Sequence, residues 1–367
     1  MGKRENCVVS VHLGYATPQF HSLLDGDLYL PQETWHENRD RCRAAGIPDE
    51  VVYRPKWRIA LEQYQRAVDN GVRFGWLTFD EYYGGKPPFL RELDHVGQDY
   101  VAEVPKSTHV WTQEPQVLHR RHARDLKKTG RPRQYPRLKV KNNPTASVEN
   151  IVKHSPLMYK QPWVEYHVKD GSKGPMVWQV KHLLVYLKDE DGLPTRAHHL
   201  LVTRNPLDPS QIKYFISNAT PSTRIQTLLL VAFSRWKIER MFQDSKMQLG
   251  MDHFEVRKYQ SIQRHLILSC VSHLFLAEFG QQHRKKKSPA DDQPSRRRSD
   301  EIGADLVAWR PLFNASGTGH QRPAAYDPTT QPQSGSKPSQ ANDSESTRQR
   351  HQIERPTKMS MAEKLAL

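Results

Sequence analysis

The stretch SRWKIERMFQDSKMQLGMDH, residues 234–253, places three charged residues on one face of a predicted helix. An α-helix turns about 100° per residue, so Glu239 follows Arg235 by a net rotation of about 40° and Lys246 follows Glu239 by about −20°. A carboxylate flanked by two cations can hold a metal ion while the cations hold phosphates. From spacing alone, an ordinary Arg235–Glu239 pair, worth about 0.2–0.5 kcal/mol, is the better explanation.

The overall charge of the chain favours a polyanionic partner. Among 367 residues, 55 Lys and Arg outnumber 40 Asp and Glu, which gives a formal charge of +15. Nucleic acid is the commonest partner of such a chain, although a solvated basic surface with a charged tail explains the charge equally well. The length allows one large domain or two ordinary ones.

Cysteine usage and hydropathy exclude several classes of protein. Cys7, Cys42 and Cys270 form no C-x-x-C pair, so neither a zinc site nor a disulfide framework is indicated, and free thiols point to a reducing compartment. The opening residues MGKRENCVVS lack the apolar centre of a signal peptide. The longest apolar stretch, HLILSCVSHLFLAEF (265–279), is too short and too polar to span a bilayer, and we predict a buried core helix there.

The first hundred residues are predicted to alternate strands and helices. Runs of β-branched and apolar residues predict strands, and apolar residues at helical spacing predict helices. Such an order predicts an α/β sheet with mixed strand directions, beginning with a hairpin across ATPQ. The predicted order is strand 7–15, strand 20–31, helix 55–71, strand 74–80, helix 87–97 and strand 99–105.

The remaining chain changes character twice. Residues 119–144 are basic with interspersed Pro and Gly, which is typical of a linker or a phosphate-contacting loop. From residue 284 the chain is rich in Ser, Pro, Gln and charge; it cannot bury enough apolar area to offset its ordering entropy and is predicted to be disordered. Between these segments we predict strands at 176–187, 198–205 and 212–218, and helices at about 224–250 and 261–279.

The helical stretch closely resembles the signature of insertion-sequence DDE transposases, in the branch with a Tyr-x2-Arg-x3-Glu-x6-Lys motif. Arg235, Glu239 and Lys246 occupy the last three places, while Ala232 stands where the tyrosine should be, with Phe233 beside it. ENCVVSVHLGYA, LLDGDLYLPQETW, FGWLTFDEYYGG and LLLVAFSRW also resemble segments of such enzymes, in the same order. The resemblance covers most of the chain before the tail.

The resemblance implies an α/β fold, an RNase-H-like mixed sheet with helices and a β-rich insertion before the catalytic glutamate helix. It also divides the chain. The expected parts are 1–113 and 221–283 for the core, 114–146 for a basic linker, 147–220 for the insertion and 284–367 for the disordered tail.

The resemblance also implies the chemistry. Family members hold two divalent metals, usually Mg²⁺, with two aspartates and a glutamate; one metal activates the attacking hydroxyl and the other stabilises the leaving oxygen. Asp80, at the end of the strand FGWLTFD, matches the second aspartate, and Glu239 matches the glutamate. Both are expected to be catalytic metal ligands, with Arg235 and Lys246 binding phosphates. Without the resemblance, Asp80 would be interpreted as a turn residue at a strand end.

The family's first aspartate has no match in this sequence. In relatives it lies on a strand before the segment that resembles GKRENCVVSVHLGYA, so we expect an amino-terminally truncated transposase whose first core strand is missing. Asp25 and Asp27 resemble family positions outside the triad and are poor substitutes. Loss of a central strand also leaves unpaired sheet edges, which invite aggregation.

Three hypotheses follow for the function. The chain is a transposase that performs cut-and-paste phosphoryl transfer, a catalytically dead remnant that binds DNA, or a non-functional pseudogene product. We expect a transposase-type protein that is inactive in this truncated form. Because only the first catalytic aspartate is without a match, the classification of the protein as an enzyme is left open. Its expected partner is DNA, at transposon ends and targets, in the bacterial cytoplasm at the nucleoid and away from membranes; a homodimer is left open.

Overall fold

The computed structural model describes residues 8–120, 134–171 and 174–284. The predicted disordered tail, apart from its first residue, lies outside the described residues, as does the middle of the predicted basic linker. No helix within the described ranges is long and apolar enough to cross a membrane.

Strands and helices alternate over the first hundred residues, as the sequence predicts, and long strands follow in the middle of the chain. The strands are β1 (Ser10–Ala16), β2 (His21–Leu28), β3 (Leu77–Phe79), β4 (Tyr100–Glu103), β5 (His109–Val110), β6 (Val117–Leu118), β7 (Arg137–Leu138), β8 (Ala146–Ser147), β9 (Val164–Gly171), β10 (Gly174–Lys188), β11 (Pro194–Arg204) and β12 (Ile212–Ser217). The helices are α1 (Arg39–Ala44), α2 (Lys56–Asp69), α3 (Glu81–Gly84), α4 (Pro87–Val96), α5 (Val148–His154), α6 (Pro156–Tyr159), α7 (Ile225–Ser234), α8 (Lys237–Leu249) and α9 (Tyr259–Arg284), with a π-helical turn at Gln32–His36.

Six of these strands form the main sheet, in the order β3-β4-β12-β11-β10-β9. β3 and β4 run parallel, and the other neighbours in the sheet run antiparallel. The sheet is therefore mixed, as predicted. β12 pairs with β4, with Ile216 opposite Ala102, so the β-rich segment extends the same sheet that β3 and β4 begin.

The first two strands form a separate antiparallel hairpin. Ala16 lies opposite His21, and the turn is closed by a hydrogen bond of 2.7 Å from the Thr17 amide to the Phe20 carbonyl. The predicted hairpin across ATPQ is therefore confirmed. Within the described ranges neither β1 nor β2 pairs with a strand of the main sheet.

Helix α2 joins the hairpin to the main sheet. Its apolar residues recur at helical spacing, so Ile59 and Tyr64 are buried in a cluster that reaches from Val11 and Leu13 of β1 to the strands of the main sheet. Gln63 is buried on the same face, and its side-chain nitrogen donates to the Val11 carbonyl at 2.8 Å. This bond satisfies a polar group that would be costly to bury alone.

Helix α7 covers the opposite face of the main sheet, and α8 and α9 cover the opposite face of the hairpin. Leu228 and Leu229 of α7 pack with Val101 of β4. Leu23 of β2 packs with residues of α8 and α9, among them Phe242. The hairpin is thus enclosed between α2 on one side and α8 with α9 on the other.

One predicted helix, at about 224–250, is two helices in the structure. Arg235 and Trp236 separate α7 from α8, although both keep right-handed helical dihedral angles. The amides of Ile238 and Glu239 bond to carbonyls three residues back, at 3.1 and 3.0 Å, so the turn is tighter than an α-helix. The prediction of one continuous helix is therefore wrong at this junction.

A second correction concerns the apolar stretch 265–279, which the sequence predicts to be a buried core helix. It lies within α9, and only one side of it is buried. Leu266 and Cys270 pack toward the hairpin, whereas Leu268 and Phe275 are among several large apolar side chains that are exposed. The reason is that α9 is apolar around most of its circumference but is covered on one face.

Candidate active site

Two acidic residues meet at the end of the parallel strand pair. Phe79 of β3 lies opposite Ala102 of β4, so the next residues, Asp80 and Glu103, lie opposite each other. Side chains alternate along a strand, so Glu103 shares a face with Val101, which packs against α7. Both acids therefore lie on the sheet face that α7 covers.

The position of Asp80 is fixed by the helix that follows it. Its side chain caps α3, accepting a hydrogen bond of 3.1 Å from the Tyr82 amide. Burial raises the pKa of Asp80; the positive charge of Arg235 opposes this shift, and the nearby Glu103 carboxylate adds to it. Gly84 of α3 lies against β4 so closely that a Cβ atom there would overlap the Glu103 carbonyl oxygen.

Arg235 lies between two carboxylates. Its Nε is 3.8 Å from Oε2 of Glu103, and its Nη1 is 3.7 Å from Oε1 of Glu239, the partner four residues on. Lys213 of β12 donates to the other oxygen of Glu103 at 2.6 Å. The predicted Arg235–Glu239 proximity is therefore present, and Arg235 links Glu239 on α8 to the strand end that carries Asp80.

Contacts from β9 explain why the helix is interrupted at this place. The Nζ of Lys169 donates to the Phe233 carbonyl at 3.1 Å, an oxygen that would otherwise accept an amide of the next turn, and lies 5.0 Å from the ring centroid of Trp236. Phe233 itself stacks on Trp178 of β10. Burial is the main cause that lowers the pKa of Lys169 to about 8, and the positive charge of Lys237 contributes to the same shift.

The remaining predicted phosphate-binding residue lies two turns further along α8. Lys246 is close enough to His12 of β1 for its charge to contribute to the low pKa of that histidine, although burial is the larger cause. Glu239 and Lys246 share one side of α8 because seven residues make nearly two turns. The side chain of Glu239 is 44% exposed, so this side is open to a ligand.

The two aspartates of the hairpin are engaged elsewhere. Arg66 of α2 contacts Asp25 at 2.8 Å and Asp27 at 2.7 Å. Both carboxylates therefore hold the hairpin to α2.

Sequence reasoning missed Glu103 and Lys169. Glu103 had only a partial signal, because it lies within the predicted strand 99–105, two residues before its predicted end, whereas Asp80 ends the strand before it. Lys169 had none, since β9 itself was not predicted. The structure brings both residues to the Arg235 junction.

The acidic residues of this region do not complete a metal centre. Across the described ranges, no group of three or more His, Cys, Asp or Glu residues is placed to hold a metal ion. Glu103 is occupied by Lys213 and Arg235. The assignment of Asp80 and Glu239 as metal ligands remains a prediction, and these residues alone do not fit a two-metal site.

A cleft separates the end of β1 from the start of β3. It is lined by residues 14–17 on one side, by residues 74–76 and Thr78 on the other, and by Arg235 and Lys237 at the helix junction. The ammonium of Lys237 donates to the Thr17 carbonyl. Among the described strands, β1 pairs only with β2 and β3 only with β4, so each has one open edge.

Comparison with known families gives one match. A family model described as DDE superfamily endonuclease matches residues 1–175, which include Asp80 and Glu103 but not Arg235 or Glu239. The match spans just under half of the chain and supports a DDE transposase-like family. DDE nucleases generally use divalent metals. No curated protein matches the chain.

Proposed function

We propose that this chain is a transposase-type protein of the insertion-sequence branch with the Tyr-x2-Arg-x3-Glu-x6-Lys signature, and that it acts on DNA in transposition. The observation that carries the proposal is the position of Arg235 between Glu103 and Glu239, at the strand end that carries Asp80. Grouped acids and bases at one end of a mixed sheet are expected of an RNase-H-like core.

In this proposal each charged residue has a separate role. Asp80 and Glu239 would be two of the three carboxylate ligands that the family mechanism requires, and Arg235 and Lys246 would bind phosphate. Carboxylates are suitable ligands for Mg²⁺, which would supply Lewis-acid stabilisation of the phosphate oxygens once a third ligand completed the site. Arg235 is able to engage a phosphate through two parallel hydrogen bonds, whereas Lys246 acts as a point charge. To do so, Arg235 must exchange a carboxylate for the phosphate.

We further propose that this chain binds DNA without cutting it. The family mechanism requires three carboxylates, and only Asp80 and Glu239 are assigned. Asp25 and Asp27 are held by Arg66, and so do not replace the third. Among the strands that the structure describes, β1 and β3 each have one unpaired edge, with which an additional strand would pair, and a carboxylate on such a strand would complete the set.

A plasmid assay tests the absence of cutting. We expect the purified full chain to leave supercoiled plasmid DNA uncut with either Mg²⁺ or Mn²⁺. The matched control is Glu239→Gln, which should behave like the unaltered chain. Metal-dependent cutting that Glu239→Gln abolishes would show that a third ligand exists, and would support the enzyme hypothesis in place of the inactive form.

Salt dependence of binding tests the role assigned to DNA. We expect the full chain to bind a random-sequence duplex weakly, with the logarithm of affinity falling with the logarithm of salt at a slope of about −0.9 per neutralised phosphate. Lys246→Ala should make that slope shallower by about one phosphate, while Lys188→Ala, at the end of β10, should not. Fluorescence anisotropy at several salt concentrations measures both.

A non-functional gene product is the competing outcome. It predicts no cooperative unfolding and no salt-dependent binding by any form of the chain. If Lys246→Ala and Arg235→Ala both leave DNA binding unchanged, the chain is still a DNA-binding protein, but these two residues do not bind phosphate.

A further inference from the structure

Helix α9 has two opposite apolar faces. One face packs on β2 and α8 through Leu266 and Cys270. On the same face, the side chains of His273 and Ser22 form a hydrogen bond. The other face is uncovered by any described residue. Its side chains are 43–65% exposed: Ile267, Leu268, Val271, Phe275, Leu276 and Phe279.

Five of these exposed side chains form one continuous stripe, whereas Leu276 lies about 140° around the helix from Val271 and falls outside it. At about 100° per residue, Leu268, Val271 and Phe275 fall within about 60° of one another, on the side opposite Leu266 and Cys270. A helix that is apolar on both sides is normally buried on both sides.

The area of the stripe is large for a monomer surface. Its five large side chains, each about half exposed, present on the order of 600 Å² of apolar surface, at the upper end of what monomers expose. A standard protein–protein interface buries about 800 Å² per partner. The stripe is therefore of the size that the centre of an interface requires.

Two charges mark the ends of the stripe. Arg264 precedes Val271 by seven residues and Glu278 follows it by seven, so both lie within about 20° of Val271 around the helix. Both side chains are exposed, and neither forms an ion pair with a described residue. The stripe is thus positive at one end, negative at the other and apolar between.

We propose that α9 packs antiparallel against α9 of a second copy of this chain, with the two-fold axis at Val271. An antiparallel pair about this residue places Ile267 opposite Phe275 of the other helix and Val271 opposite itself. It also places each Arg264 opposite a Glu278. A surface that is complementary to itself under a two-fold rotation is what an isologous dimer requires.

Sedimentation of the full chain tests the interface. We expect a dimer at about 10 µM, since interfaces of this size commonly give affinities in the micromolar range or tighter. Val271→Asp puts two like charges on the axis and should raise the dissociation constant at least about 100-fold. The matched control is Leu207→Asp, which alters a side chain that is 94% exposed in the loop before β12 and should leave the dimer intact.

Charge reversal tests the orientation and register. Arg264→Glu alone and Glu278→Arg alone each create two like-charged contacts and should weaken the dimer about fivefold, and the double variant should restore it. Circular dichroism of each variant checks that α9 remains folded.

Three results would overturn the proposal. A chain that is monomeric at the highest soluble concentration has no such interface. A dimer that survives Val271→Asp uses another surface. Two single charge reversals that are not compensated in the double variant exclude the antiparallel register about Val271. None of these results depends on whether the chain binds or cuts DNA.

Discussion

The main sheet and the β1–β2 hairpin are held in place by different means. In the main sheet, every inner strand pairs on both edges, and α7 packs on it through apolar side chains. The hairpin pairs with no other described strand and is attached by helices. Several of its attachments are polar, such as Gln63 to the Val11 carbonyl and Arg66 to Asp25 and Asp27. Stability of the hairpin should therefore depend more on pH and salt.

Two aromatic truncations give the largest effects and test whether the regions are separable. Phe79→Ala removes a ring packed on Phe89 and Tyr100 in the main core, and Phe242→Ala removes one packed on His12 of the hairpin. Each should lower the free energy of unfolding by about 3–5 kcal/mol. Hydrogen exchange should localise the loss for Phe242→Ala to the hairpin, α8 and α9. Equal loss of protection in β10–β12 would mean that the two regions unfold as one.

The second prediction concerns His12 and acid. Burial lowers the pKa of His12 to about 4 from its ordinary 6.5, against weaker opposing effects of Asp25 and Asp27. The unfolded chain binds a proton first as pH falls, so stability is lost between pH 6.5 and pH 4, by about 3 kcal/mol. His12→Leu should remove this part of the acid sensitivity, measured by denaturant unfolding at several pH values. His109→Leu, on the exposed side of β5, serves as the control.

The ion-pair clamp of the hairpin gives a smaller effect. Arg66→Met leaves Asp25 and Asp27 without their shared partner and should destabilise the chain by about 1 kcal/mol, since the pairs are partly exposed. The loss should shrink as salt is added. Arg58→Met removes only the ion pair with Glu62 within α2. It should lower the free energy of unfolding by less than Arg66→Met does, and it should not specifically reduce the protection of the hairpin. An equal effect of both variants would show that the clamp adds nothing.

An effect of about the same small size is expected at Lys169, at the edge of the main sheet. Its pKa of about 8 in the folded chain lies below its ordinary 10.5, so the unfolded chain binds more protons between these values. Stability should therefore rise with pH across this window, by about 1 kcal/mol after allowing for solvent screening. Lys169→Met should lack this rise, whereas Lys188→Met should retain it. If the difference in unfolding free energy between wild type and Lys169→Met does not change with pH, Lys169 is not desolvated.

Local patterns in the sequence predicted the elements well where an apolar period was unambiguous, as in the hairpin, α2 and α4. They could not predict the break between α7 and α8, because it depends on Lys169 and Trp178 from strands far away in sequence. Nor could they predict that Glu103 lies beside Asp80, since this follows from the register of β3 and β4. Composition alone suggested that 265–279 was buried, but only packing decides which face of a helix is covered.

The close approach of Gly84 to β4 limits which mutations such a sequence can accumulate without losing its fold. Because any Cβ atom at this position overlaps the Glu103 carbonyl, even alanine would push α3 from β4 and separate Asp80 from Glu103. Whether a related sequence keeps glycine at position 84 therefore indicates selection for the shape of the site, independently of selection for its charged residues. Gene copies that lose the acids but keep this glycine would still be under selection to fold, whereas copies free to decay would lose both at similar rates.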